Sequence, residues 1–312
     1  MITNSGQKPS IPFFSFELWC GKDKNLSLFF AHMAEQIIDY KKKRQGWLQR
    51  KLKGLSNRLG RWQRHSAWWY HVHFVRPIQL DYSRIPPDAI PILLNCYNRL
   101  SILKDSLAWM RKLKGKKSFI IVDNDSTYPP LLAFYDQLNE PDVQVVRLGF
   151  NSWKNGVAHI GERLLKDYPY YIVTDPDLIP YPDMPMDVLP YLSKLMDDHP
   201  RHNHIGLSLE IEDLPDHYPL KEQVVRHESQ FWPPQAKPVA GGRAFESYID
   251  STFAMYRPGS DVKQYHNALR TDRPYRLKHI DWYQSPHTLS EEYQYYLKSC
   301  KSFATWAVAA RD

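Results

Sequence analysis

The feature that most constrains this chain is an alternation of short apolar runs and amphipathic stretches between Ile90 and Thr174. Ile90 to Leu94 is an apolar run of strand length, Leu100 to Leu113 has helical periodicity, Phe119 to Val122 is a second strand and Pro130 to Leu138 a second helix. Val143 to Leu148, Asn155 to Asp167 and Tyr170 to Thr174 continue the series as strand, helix and strand. Short continuous apolar runs divided by period-3.6 segments predict strands buried on both faces and joined by helices. The order β-α-β-α-β-α-β calls for a mostly parallel, twisted sheet with helices on both faces, because parallel neighbours need a crossover. Beyond Asp177 the pattern loosens. A helix is expected over Pro185 to Met196, strands over Ile205 to Ile211 and Ser251 to Tyr256, and an irregular loop over 212–246.

In open α/β sheets ligands bind beyond the carboxyl ends of the strands, and those ends are where this chain concentrates polar residues. The first strand runs into Asn95-Cys96-Tyr97-Asn98-Arg99, the second ends in Asp123-Asn124-Asp125-Ser126, the third leads to Asn151-Ser152-Trp153-Lys154-Asn155-Gly156, and the fourth ends in Asp175-Pro176-Asp177. Taken singly, each run is also what a turn looks like, since Asp, Asn and Ser satisfy the backbone locally. Turn chemistry does not require all four at one rim. An aromatic flanked by amides suits a nucleobase, and carboxylates suit base N–H groups or ribose hydroxyls. Two carboxylates one residue apart, stiffened by proline, suit a hard divalent cation, Mn²⁺ or Mg²⁺, which binds diphosphate oxygens.

Ile92-Leu-Leu-Asn-Cys-Tyr-Asn-Arg99, Phe119-Ile-Ile-Val-Asp-Asn-Asp-Ser-Thr127 and Tyr171-Ile-Val-Thr-Asp-Pro-Asp177 resemble the nucleotide-binding half of the GT-A-fold glycosyltransferases, family 2 in particular. The resemblance covers roughly residues 88 to 300 and implies an α/β fold, a GT-A-like mostly parallel twisted sheet flanked by helices. It implies that Asn95, Tyr97, Arg99, Asp123 and Asp125, with Asn155 and Gly156, contact the donor nucleotide. It further implies that Asp175 and Asp177 form the DxD metal motif, and that Arg276-Leu-Lys-His-Ile-Asp-Trp-Tyr283 can supply His279 as a metal ligand. The activity implied is transfer of a sugar from a nucleoside-diphosphate sugar, UDP-sugars favoured, to a hydroxyl of a glycan or lipid-linked acceptor in cell-surface polysaccharide synthesis, with inversion. Such a transfer needs a carboxylate base. The family's frequent acidic pair is not present as such, so Asp250 is the first candidate, Asp281 the second, and Glu210 and Glu246 stand further off. A sugar-nucleotide pyrophosphorylase is the enzymatic rival; it would carry a Gly-rich phosphate loop, and Asn95 to Leu100 has no glycine.

Residues 1–87 have another texture, that of a basic and aromatic helical extension ahead of a catalytic domain over 88–312, itself split into a donor half (88–180) and an acceptor half (181–312). Lys41 to Arg64 carries ten Lys or Arg and no acid, and without these ten the chain has 31 basic against 34 acidic residues. The basicity is therefore local. Leu48, Leu52, Leu55, Leu59 and Trp62 fall on one helical stripe. Two readings stand: an interfacial helix at an anionic membrane through 41–65, or a helix packed on the catalytic domain. No nucleic-acid motif accompanies the patch, so no nucleic-acid partner is expected; a non-catalytic protein binding membrane or nucleic acid through 41–75 is the rival from another class. Cys20, Cys96 and Cys300 are scattered, which argues against a disulfide or zinc framework and fits a reducing compartment. Met1 to Pro12 has no apolar leader segment and no run spans a bilayer, so a cytoplasmic location is expected, with peripheral association at the inner face of the cytoplasmic membrane as the variant the basic helix would bring.

Overall fold

The computed structural model describes residues 66, 68–249, 252–300 and 306. The chain divides into two compact units, Met1–Ala67 and Trp68–Asp312. The basic segment 41–64 and the helix expected over Leu26 to Tyr40 belong to the first unit and lie outside the described residues.

The second unit is a mixed α/β structure around a nine-stranded sheet. Its first half matches the sequence pattern: β1 (Ile90–Cys96), α1 (Leu100–Arg111), β2 (Lys117–Asp123), α2 (Pro129–Gln137), β3 (Val143–Arg147), α3 (Asn155–His159) and β4 (Tyr171–Thr174). Strands β1, β2, β3 and β4 pair in parallel, in the order β3-β2-β1-β4. The register sets Cys96 beside Asp123 and Leu94 beside Thr174, so these carboxyl ends finish level with one another. Side chains alternate between the two faces. Ile92, Leu94, Phe119, Ile121 and Ile172 enter the larger core cluster, whereas Leu93, Ile120, Val122, Tyr171 and Val173 enter a second. Such two-faced burial is why these strands read as unbroken apolar runs.

The third expected helix is α-helical only as far as His159 and then widens into a π turn over Ile160–Leu164. Leu165 N–H closes on the Ile160 carbonyl at 3.0 Å, and this five-residue spacing turns two fully buried side chains, Ile160 and Leu165, onto the same face.

The second half holds β5 (Leu178–Pro180), α4 (Val188–Asp198), β6 (His204–Gly206), β7 (Ser208–Leu209), α5 (Lys221–Glu228), β8 (Lys237–Val239), β9 (Ala244–Glu246), β10 (Ala254–Tyr256), β11 (Ala268–Thr271), β12 (Arg276–His279) and α6 (Glu291–Cys300). The sheet continues β4-β10-β6-β11-β9-β8, with β10 antiparallel to both neighbours and β6 parallel to β11. Parallel pairing thus dominates only the first four strands. Strands β5, β12 and β7 form a separate small sheet. The stretch 212–246, expected to be irregular, contains α5 and the β8–β9 hairpin. Within α5 only Val224 and Glu228 are buried, which is why it carries so weak an apolar stripe.

Trp68, Val72 and Ile85 pack into the second core cluster, and Tyr168 donates to the Ile85 carbonyl at 2.8 Å. Among the described residues no helix is long and apolar enough to cross a membrane.

Candidate active site

A cleft of about 500 Å³ opens over the carboxyl ends of β1, β2 and β4 and extends to Arg270 of β11. Its first wall is an amide relay. Ser152 donates through N–H and Oγ to Asn124 Oδ1 at 3.2 and 3.0 Å. Asn124 Nδ2 donates to Asn95 Oδ1 at 2.7 Å, and Asn95 Nδ2 to Asp175 Oδ1 at 3.2 Å. Four successive strand ends are thereby wired together, and the relay ends on the first carboxylate of the Asp-Pro-Asp turn.

The second support of that turn is α1. Ser106 Oγ donates to the Pro176 carbonyl, and Trp109 Nε1 donates to the Leu178 carbonyl at 2.9 Å. These residues lie three apart and so share a helix face. Asp177 is consequently held at the floor of the cleft, where burial pushes its carboxyl above the usual range, the His279 ring opposes that, and Asp281 and Asp175 add to it. Its Oδ2 stands 3.7 Å from His279 Nε2, and its buried Oδ1 accepts no hydrogen bond from any described residue. A buried carboxylate oxygen left without a donor is unfavourable unless a cation meets it or the group takes up a proton. The donor set, hard carboxylate oxygens, fits Mn²⁺ or Mg²⁺. Among the described residues no three His, Cys, Asp or Glu side chains stand at metal-ligand spacing. Asp175 and Asp177 are the carboxylates at the cleft that could hold such a cation. His279 lies against Asp177, its ring stacked on Trp282 at 4.8 Å and 10°.

Arg99 does not reach freely into the cleft. Its guanidinium grips Asp281 at 2.7 Å, both side chains almost wholly buried, and sits 4.8 and 4.9 Å from the Tyr293 and Tyr296 ring centroids. Burial works against its charge, yet the Asp281 carboxylate holds it above the ordinary guanidinium range. Tyr97 lines the cleft with its hydroxyl donating to the Ser299 carbonyl at 3.3 Å and its ring edge-on to Tyr296 at 6.4 Å.

The structure brings Asn95, Tyr97, Arg99, Asp175, Asp177, His279 and Asp281 to one cleft. Asp123, Asp125, Asn155, Gly156, Glu210 and Glu246 are not among the residues that line it. Asp123 is buried, with Ser126 N–H and Tyr135 hydroxyl donating to it at 3.2 and 3.3 Å, and burial raises its carboxyl. Asp125 is exposed, in the left-handed region at φ 64°. Asn155 accepts from Lys263 at 3.2 Å. Gly156 meets a packing demand, since a Cβ there would lie 2.6 Å from Leu148 Cδ1. Asp250 lies outside the described residues. Glu210 is buried and paired with Arg273 and Arg276, and Glu246 faces Lys237.

Asn124, Trp153 and Lys154 also line the cleft, from inside the same polar runs at the strand ends, where nothing in the residue pattern sets them apart. Burial lowers the Lys154 ammonium, with Asp175 opposing, and its Nζ stands 5.5 Å from the Tyr265 ring centroid. The buried pair Glu228–Arg270, joined at 2.8 Å where β11 reaches the cleft, is a further member with no mark in the sequence. No local pattern links positions 42 residues apart.

A family model described as glycosyl transferase family 2 matches residues 92–262, more than half of the chain. No curated protein matches it. Solved structures similar to it include the mannosyltransferase PcManGT of Pyrobaculum calidifontis with GDP-Man and Mn²⁺, at 14% identity over 78% of this chain and 70% of that one, TM-score 0.38. Another is S. aureus TarS 1-349 with UDP-GlcNAc, at 12% identity over 65% of this chain and 60% of that one, TM-score 0.40. The family match removes the pyrophosphorylase and the non-catalytic alternatives: the chain belongs to glycosyl transferase family 2 and is a glycosyltransferase.

Proposed function

We propose that the chain transfers a sugar from a nucleoside-diphosphate sugar to a hydroxyl of a glycan or lipid-linked acceptor, with inversion and with a divalent cation, Mn²⁺ or Mg²⁺. The observation that carries this reading is the Asp175-Pro176-Asp177 turn, pinned by α1 and by the amide relay, with a buried Asp177 oxygen lacking a donor. Asp175 and Asp177 would hold the cation, and His279 bears on Asp177 from the side. The bound cation would neutralise charge on the departing diphosphate. Asn95, Asn124 and Tyr97 line the donor end of the cleft, and Lys154 adds a positive charge there. The acceptor would bind toward β11, beside Glu228 and Arg270, and the proton of its attacking hydroxyl would go to Asp250, which lies outside the described residues, or to Asp281, which lines the cleft.

A thermal-shift series tests the donor assignment: UDP, GDP, CDP and dTDP, each with and without Mn²⁺. At least one nucleotide, UDP first, should raise Tm by several degrees only when Mn²⁺ is present. Equal shifts without metal, or none at all, would refute the reading.

A membrane surface is proposed as the second partner, at the inner face of the cytoplasmic membrane, within a cell-surface polysaccharide route. What favours it is an exposed aromatic cluster at the start of the described unit, Trp69, Tyr70 and Phe74 at 50, 59 and 65% exposure, immediately following the basic run in sequence.

A further inference from the structure

Trp153 is unusual in three respects. It is 57% exposed although it is one of the residues that line the cleft. Its backbone is left-handed, φ 59°, a region in which an L side chain crowds its own main chain and which bulky residues seldom adopt. And its loop is tightly fastened. Trp153 N–H donates to Asn151 Oδ1 at 3.1 Å, Asn155 N–H to the Ser152 carbonyl at 3.1 Å, and Gly156 N–H to Ser152 Oγ at 3.0 Å. Ser152 is in turn held by Asn124, a member of the relay that reaches Asp175. A strained corner that is fixed by hydrogen bonds while it carries a large exposed aromatic side chain at a cleft has the form of a ligand clamp.

Resting on the donor-site reading above, we infer that Trp153 is the aromatic plane on which the donor nucleobase stacks. The sheet places it suitably. Its neighbour Ser152 is fixed to Asn124 beyond β2, two strand positions from the carboxylate turn at β4, or about 10 Å at the usual strand spacing. That span is comparable with the reach of an extended nucleoside diphosphate from its terminal phosphate to its base. Tyr97, the aromatic that sequence reasoning put forward, has its hydroxyl tied to Ser299 and its ring set against Tyr296. An indole offers a broad face that every base can use, so the contact adds affinity with little preference among bases.

Calorimetry on the full chain with Mn²⁺ tests this, using UDP, GDP and inorganic pyrophosphate as ligands. Trp153→Ala should weaken whichever nucleotide the wild type binds by roughly ten- to a hundred-fold and leave pyrophosphate within about two-fold. Trp153→Phe should recover most of the nucleotide affinity. Unchanged nucleotide affinity in Trp153→Ala overturns the inference, as does an equal loss for nucleotide and pyrophosphate, which would mean a disturbed loop. A wild type that binds pyrophosphate but neither nucleotide overturns the donor-site reading itself, and the inference with it.

Discussion

At the scale of single residues, the cleft is a set of buried charges whose partners decide their roles. Asp177 has an oxygen that no described donor meets, whereas Asp281 is gripped by Arg99. Asp175→Asn and Asp177→Asn should each lower kcat/KM by about 100-fold or more, about 2.7 kcal/mol of transition-state stabilisation, with an unchanged circular-dichroism spectrum. Asp281→Asn strands the Arg99 charge in the interior and should lose about 3–5 kcal/mol in urea unfolding. The double change Arg99→Met with Asp281→Leu should recover much of that stability without activity; a double variant as unstable as the single would show that the pair is not the source. His204 gives a pH signature. It is fully buried, stacked on Tyr256 at 4.7 Å, and burial pulls its pKa down to about 4. The unfolded value is about 6.5, so the unfolded state takes up the proton first. Stability from this group is complete above about pH 6.5 and is lost as pH falls toward 4, on the order of 3 kcal/mol. His204→Phe should flatten the wild-type decline across that window, and parallel pH curves for the two proteins would count against the assignment.

At the scale of elements, α1 does more than cover the sheet. Ser106 and Trp109 hold the carbonyls on either side of Asp177, so the helix determines where the carboxylates point. Ser106→Ala should destabilise the fold by only about 1 kcal/mol, yet raise the Mn²⁺ concentration needed for half-maximal activity several-fold. An unaltered Mn²⁺ dependence would reduce Ser106 to a packing residue. Gly206 shows a different constraint: a Cβ there would meet Ile249 Cδ1 at 2.2 Å and the Ala254 backbone at 3.0 Å. Gly206→Ala should therefore lose about 1–3 kcal/mol by overpacking. Legibility in the sequence follows burial. Strands β1, β2 and β4 are covered on both faces and announce themselves as apolar runs, and their level ends made the Asn95 and Asp175 cluster readable in advance. Helix α5 buries two residues and β8 is largely exposed, so neither leaves a periodic trace. Asp123 has the right residue type at a strand end but turns toward Ser126 and Tyr135, a choice made by packing that spacing does not encode. Trp153 was hidden for the opposite reason. An isolated exposed tryptophan has no local signature until its left-handed backbone and the cleft around it are known.

At the scale of the molecule, the charge is divided between a strongly basic stretch over 41–64 and a slightly acidic remainder. With the exposed Trp69, Tyr70 and Phe74 next in sequence, vesicles containing anionic phosphatidylglycerol should bind the full chain and uncharged phosphatidylcholine vesicles should not. Added salt should release it, and Trp69→Ser with Phe74→Ser should weaken binding several-fold. Binding that ignores both lipid charge and these substitutions would remove the membrane from the account. The catalytic claim rests on the Asp175-Pro176-Asp177 turn, and the most direct measurement of it is Mn²⁺ bound per chain, read by electron paramagnetic resonance in the presence of UDP or GDP. One nucleotide-dependent Mn²⁺ per wild-type chain, lost in the Asp175→Asn, Asp177→Asn double variant, is the predicted result; equal Mn²⁺ binding by the two proteins would contradict it.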